Sequence, residues 1–262
     1  MNLARLKAIV IVIGGVLCMA SYADAADLKV LTTGILKGSF NDIAVRFERE
    51  TGHTLTMSWG PSSGKSPEAS QVRIRNGERV DVLIMVDNGM DEVIKGGYFK
   101  PLERKDIAVS KIGVAVKKGQ PWPEIGTVTA LRKALLDARS IGYSEGASGT
   151  YIASVLLKKL GIADEVAPKS KVILGRRFVG EALTDGEIEL GLQQISELRL
   201  EPGVDVIGPL PEELQKRSVV SAAVSSNSAN VTAAKQFIDF LSSPGSKEAM
   251  IRSGLDLPAP RP

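Results

Sequence analysis

Histidine and cysteine are almost missing from this chain of 262 residues, which contains one of each, His53 and Cys18. A single histidine and no second thiol leave zinc or copper without a ligand set, and a lone cysteine forms no internal disulfide. Strong charge of either sign is also absent. The formal net charge of +3 is too small to mark a nucleic-acid binder. Past the first twenty residues no apolar run is long enough to span a bilayer, and there is no internal repeat of solenoid length and no low-complexity tract. His53 follows Gly52, a helix-ending glycine, and is expected on a surface loop.

The chain begins with Arg5 and Lys7, continues through an uncharged stretch from Ala8 to Ala20, and reaches Ala23, Asp24 and Ala25. A basic start, a short apolar run and small residues at cleavage spacing predict a secretory signal over residues 1–25. Cys18 lies inside that segment and follows Leu17, which is not the small residue that lipid attachment requires. The mature chain is therefore expected to be soluble and free of thiol chemistry. Its roughly 235 residues suit one large domain or two lobes of about 100 residues each.

Along that chain, short apolar strands alternate with helical patterns. Leu28 to Leu31 reads as a strand ending in Thr32-Thr33-Gly34, followed by Phe40, Ile43, Ala44 and Phe47 at helical spacing. Thr54 to Trp59 ends in the Gly60 to Ser66 turn, which carries Ser62, Ser63 and Lys65. Asp81 to Met85 is a continuous apolar strand of the parallel-sheet kind. A second series follows: Ser110 to Lys117, Ile141 to Tyr143, Val172 to Leu174 ending in Gly175-Arg176-Arg177, and Ile188 to Leu192 ending in Gln193-Gln194-Ile195-Ser196-Glu197. Strands at Gly203 to Ile207 and Val219 to Val224, a helix around Phe237 and a proline-rich surface strap after Leu257 complete the reading. The pattern predicts α/β architecture, with a ligand outside the carboxyl ends of the strands.

Ser144 to Leu160 stands out. A turn of small residues opens into Ile152, Val155, Leu156 and Leu160, one apolar helix face, with Ser148 as a candidate cap. Free N–H groups at such a start can cradle an anion; an ordinary capped helix with an empty N-terminus is the alternative.

Together these features resemble the type II periplasmic solute-binding proteins, and within them the molybdate-binding branch. The resemblance rests on T-T-G after the first strand, P-S-S-G-K after the second, R-V-D-V-L-I-M, G-A-S-G-T-Y, G-E-I-E-L-G-L and the closing F-I-D-F-L-S-S-P-G-S-K-E-A-M-I-R-S-G-L. It implies a two-lobed fold with a hinge and an inter-lobe ligand cleft, a periplasmic location and a monomer. Residues 26–105 plus 218–262 would form lobe I and 106–217 lobe II, with crossings near residues 102–110 and 208–221. Molybdate binders hold a small dianion with neutral donors and have a tyrosine, with a following threonine-aspartate pair, after the late strand. Here Q-Q-I-S-E-L occupies that place and Lys65, Arg176 and Arg177 are added. Charge-assisted hydrogen bonds from such groups suit carboxylates. The signal, length and Q-Q-I-S-E-L resemble the aconitate-isomerising members of the branch, which implies a tricarboxylate substrate and a cofactor-independent 1,3 allylic proton shift. The alternative is a non-catalytic receptor delivering a tricarboxylate, molybdate or tungstate to a transporter permease.

For that chemistry Glu145 is the first candidate base, its pKa expected to rise on burial, with Lys65 and Tyr151 as rivals. Arg176 or Arg177, with Lys65 and the Ser148 to Thr150 amides, would stabilise the developing charge. Thr33, Ser62, Ser63 and Gln194 would hold the remaining carboxylates by hydrogen bonding. Strand and helix phase leave open which arginine faces inward.

Overall fold

The computed structural model describes residues 25–259. The expected leader, including Cys18, lies outside the described residues except for Ala25, as do the last three residues of the strap.

The chain forms β1 (Asp27–Thr32), α1 (Lys37–Thr51), β2 (Thr54–Trp59), α2 (Ser70–Arg75), β3 (Val82–Val86), α3 (Asp87–Lys95) and β4 (Pro101–Lys117). It continues through α4 (Val128–Asp137), β5 (Ile141–Ser144), α5 (Ala147–Tyr151), α6 (Leu157–Lys159), α7 (Ala163–Val166), β6 (Ser170–Ile173) and α8 (Val179–Thr184). The last elements are β7 (Leu190–Gln194), α9 (Ile195–Leu198), β8 (Val204–Pro209), β9 (Arg217–Ser225), α10 (Val231–Phe240) and α11 (Pro244–Ser253). The strands lie in the order β2-β1-β3-β9-β4-β7-β5-β6, with β8 also on β4. At each end the pairs are parallel, β1 with β2 and β3, and β5 with β6 and β7.

Residues on the two faces of each strand enter different cores, as the two-residue repeat of a strand requires. Val82, Ile84 and Val86 of β3 pack with Phe40 and Phe47 of α1 and Phe237 of α10, while Leu83 and Met85 meet Ile74, Met90 and Val93 on the other face. In the second part of the sheet, Val114 and Val116 join Leu131, Leu135, Ile152 and Leu156, and Ala115 joins Val179 and Leu183. Burial of both faces explains why these strands read as continuous apolar runs.

Strand β4 is longer than the Ser110 to Lys117 segment expected. Its first part, Pro101 to Lys111, pairs with β9, and from Ile112 onward its partners are β7 and β8. The extra length was hidden because residues 103–106 are Glu, Arg, Lys and Asp, which give no apolar alternation.

Two local expectations are corrected. His53 is buried, not on a surface loop: its Nδ1 accepts the Ala26 N–H at 3.1 Å and its ring lies 6.0 Å from that of Phe47. The helix opening at Ala147 is capped by Gly146 without any side-chain hydrogen bond, so Ser148 sits inside the first turn and is not the cap. Residues 152–156 continue it as a π-turn before α6.

Phe237 is fully buried, with its ring edge-on to Phe47 at 5.0 Å and to Phe40 at 6.3 Å. Phe237→Ala should destabilise the fold by about 3–5 kcal/mol, measured as a lowered urea midpoint with little change in slope.

Candidate active site between the two halves of the sheet

The carboxyl ends of five strands converge on one cavity. Its walls are Gly34 and Ile35 after β1, Trp59 to Ser62 at and after the end of β2, Ser144 and Gly146 to Ser148 around the end of β5, Gly175 to Phe178 after β6, and Gln193, Gln194 and Glu197 across β7 and α9. Strand ends followed by small or polar residues create this arrangement, as expected for an open α/β sheet. The free volume is about 30 Å³, room for a water molecule and far too little for an organic polyanion. A larger ligand therefore enters only when the two sides part.

Two contacts join the sides at the edges of the cavity. Glu145, just past β5, accepts the backbone N–H groups of Lys65 (3.1 Å) and Ser66 (3.3 Å) through Oε2 and that of Gly175 (2.8 Å) through Oε1. On the other flank the rings of Trp59 and Phe178 stack at 5.0 Å with an interplanar angle of 3°, and Lys37 Nζ lies 4.1 Å from the Trp59 centroid. An ammonium over an indole face is attracted by the ring quadrupole.

Inside, the donors are graded in their commitments. Gln194 accepts the Ser110 hydroxyl at 2.7 Å through Oε1, and its Nε2 is buried without a partner. Ser148 Oγ lies 3.3 Å from Ser144 Oγ. Gly149 permits that approach, since a Cβ there would fall 1.5 Å from the Ser144 carbonyl oxygen. Arg176 lines the cavity and has no hydrogen bond or ion pair among the described residues. Arg177 also lines it but commits its guanidinium to Asp185 (2.5 Å) and Glu187 (2.7 Å). Both arginines therefore reach the cavity, and they differ in pairing: Arg176, the more exposed of the two, has no ion pair among the described residues.

A profile of the bacterial extracellular solute-binding proteins matches residues 28–256. The chain belongs to that family. It is 34% identical to an aconitate isomerase from Pseudomonas sp, covering 87% of each chain. It is 27% identical to the molybdate-binding protein ModA of Azotobacter vinelandii, over 96% of this chain and 98% of the other. The solved periplasmic molybdate-binding protein of Azotobacter vinelandii superposes with a TM-score of 0.70 at 22% identity, covering 88% of this chain and all of the other. The expected type II periplasmic binding-protein fold is thereby established.

Several candidate residues have other positions. Lys65 is exposed and borders an outer depression, not the cavity; its main chain, not its ammonium, serves the cleft. Glu145 is a bridge between the sides. Burial works to raise its pKa, but the Ser66 hydroxyl and the backbone N–H groups of Gly175, Lys65 and Ser66 outweigh that and hold it below its ordinary value. That is the reverse of what a base requires. Tyr151 donates to the Leu214 carbonyl at 2.8 Å, and burial raises its pKa, so it is neither free nor readily ionised. Ser62 is buried in the cavity wall, while Ser63 is only half-buried and outside it. Thr33 is buried behind Gly34, its hydroxyl without a partner.

The residue missed in the sequence is Glu197. It is 9% exposed, lines the cavity, and burial pushes its carboxyl up to about 8 against one lowering hydrogen bond from Gln193. A charged residue inside the run Leu190 to Leu198, where Leu192, Ile195 and Leu198 mark a buried segment, was the available signal.

Glu145 has a folded-state pKa below its unfolded value of about 4.5, so its stabilisation is present above that value and disappears as pH falls through the folded one. Glu145→Gln should show a shallower loss of melting temperature in acid than the wild type. It should also show a larger radius of gyration by X-ray scattering at neutral pH, where the bridge normally holds.

Proposed function

We propose that this protein is an aconitate isomerase that interconverts trans- and cis-aconitate without a cofactor. A proton leaves the methylene carbon, the double bond moves by one position, and a proton is returned to the formerly vinylic carbon, so atoms and charge balance. The observation that carries this reading is that the Arg176 guanidinium, with no ion pair among the described residues, and the unpartnered Gln194 amide line the same cavity. Such donors fit a carboxylate-rich ligand, and the negative charge that spreads into the carboxylates during the shift would strengthen their hold. The likeness to the Pseudomonas aconitate isomerase supports it further.

In this reading residues 1–25 are a cleaved leader directing the chain to the periplasm, and among the described residues no helix is long and apolar enough to cross a membrane. Residues 26–105 with 218–262, and residues 106–217, act as lobes that open to admit the tricarboxylate and close over it in a monomer. Ser62, Ser148 and Gln194 position carboxylates, and Arg176 stabilises the developing charge. The molybdate-binding relatives favour a second reading, a receptor that hands a tricarboxylate, molybdate or tungstate to a transporter permease.

Proton magnetic resonance of trans-aconitate with purified protein in heavy water separates the two. Appearance of cis-aconitate signals is expected. Tight calorimetric binding with no new isomer would leave the receptor. Arg176→Ala should raise KM by roughly 10- to 100-fold, the loss expected for one charge-assisted hydrogen bond, while Arg177→Ala should change it little.

A further inference from the structure

A buried carboxyl is ordinarily paired with a cation, because water no longer solvates its charge. Glu197 has no such partner among the described residues. It stands in the first turn of α9, placed by the strand that also delivers Gln193 and Gln194. Gln193 is itself fixed, its Oε1 accepting the Val179 N–H at 2.9 Å, and its side chain hydrogen-bonds Glu197. From across the cleft Gly34 approaches so closely that a Cβ there would lie 2.5 Å from Glu197 Oε1. The carboxyl is therefore oriented by β7, covered by the opposite side, and open to the cavity that Arg176 also lines.

No other cavity side chain has this capacity. Ser62, Ser144 and Ser148 are hydroxyls, Gln193 and Gln194 are amides that neither take nor give protons near neutrality, and Arg176 and Arg177 are guanidiniums, donors without an acceptor. Glu145, the other carboxylate nearby, is held ionised by main-chain donors outside this wall.

We propose that Glu197 is the catalytic acid–base of the aconitate interconversion. As carboxylate it takes the proton from the methylene carbon, the electron pair of that C–H bond moves into the allyl system, and the resulting carboxylic acid gives a proton to the carbon that was vinylic. The carboxyl ends as it began, and no oxidant, reductant or second reactant is consumed. The assignment rests on the isomerase reading. The charged groups on the walls shared with Glu197 are Arg176 and Arg177 from the turn before α8; β7 offers only amides, and the β1 and β2 ends offer apolar groups, hydroxyls and main chain. Lys37, Glu181 and Glu201 lie at the outer edge beyond the Trp59–Phe178 stack. The carboxyl's elevated value is thus set by burial, with the Gln193 hydrogen bond working against it.

The test compares wild type, Glu197→Gln and Glu197→Asp for calorimetric trans-aconitate binding and for turnover. Glu197→Gln should bind within about threefold of wild type yet lose at least 100-fold in kcat, the usual scale for acid–base catalysis; Glu197→Asp should retain part of the activity. In wild type kcat/KM should rise through a pH near 8, a limb that Glu197→Gln lacks. Turnover by Glu197→Gln within threefold of wild type overturns the assignment while leaving the isomerase reading intact. Binding without turnover by wild type overturns the isomerase reading first. If Glu197→Gln does not fold, the wild-type pH profile decides, and a flat profile between neutrality and pH 9 overturns the proposal.

Discussion

The geometry of the cleft depends on one carboxylate receiving three main-chain N–H groups. Glu145 joins the loop after β2 to the turn after β6, and those two loops supply Ser62 and Arg176 to the cavity wall. Hydrogen bonds to an ionised acceptor are stronger than neutral ones, and main-chain donors need no rotamer ordering. The bridge therefore fixes backbone, not only side chains. With the Trp59–Phe178 stack on the opposite flank, the cavity is held from both edges while Gln194 Nε2 and the Arg176 guanidinium stay without partners among the described residues.

The two carboxylates near the cleft differ through environment alone. Glu145 is surrounded by N–H groups and held below its ordinary value, whereas Glu197 faces Gln193 and apolar surroundings and is pushed up to about 8. One is fitted to hold charge as a structural link, the other to exchange a proton. The arginines also differ in pairing: Arg177 is spent on Asp185 and Glu187, and Arg176 has no ion pair among the described residues.

Much of this architecture was legible from periodicity. Alternating strand and helix patterns, with polar residues at strand ends, gave the α/β class and most of the loops that line the cavity. Composition and spacing could not give burial of polar groups. Glu197 carries the same side chain as any solvated glutamate, and only the packing of α9 against the β1 end and β4 removes its water. Lys65 and Tyr151 show the converse: their types suit catalysis, but Lys65 is exposed and the Leu214 carbonyl engages Tyr151. The charged first half of β4 gave no apolar alternation because residues 101–106 are half-buried or exposed along the β9 pairing.

That strand has a mechanical consequence. Since β4 is hydrogen-bonded first to β9 and then, without interruption, to β7 and β8, neither side of the molecule owns it. Detaching either set of neighbours leaves a row of unpaired amides on a segment the other side still needs. Denaturation should accordingly spread through both sheets as a single cooperative event.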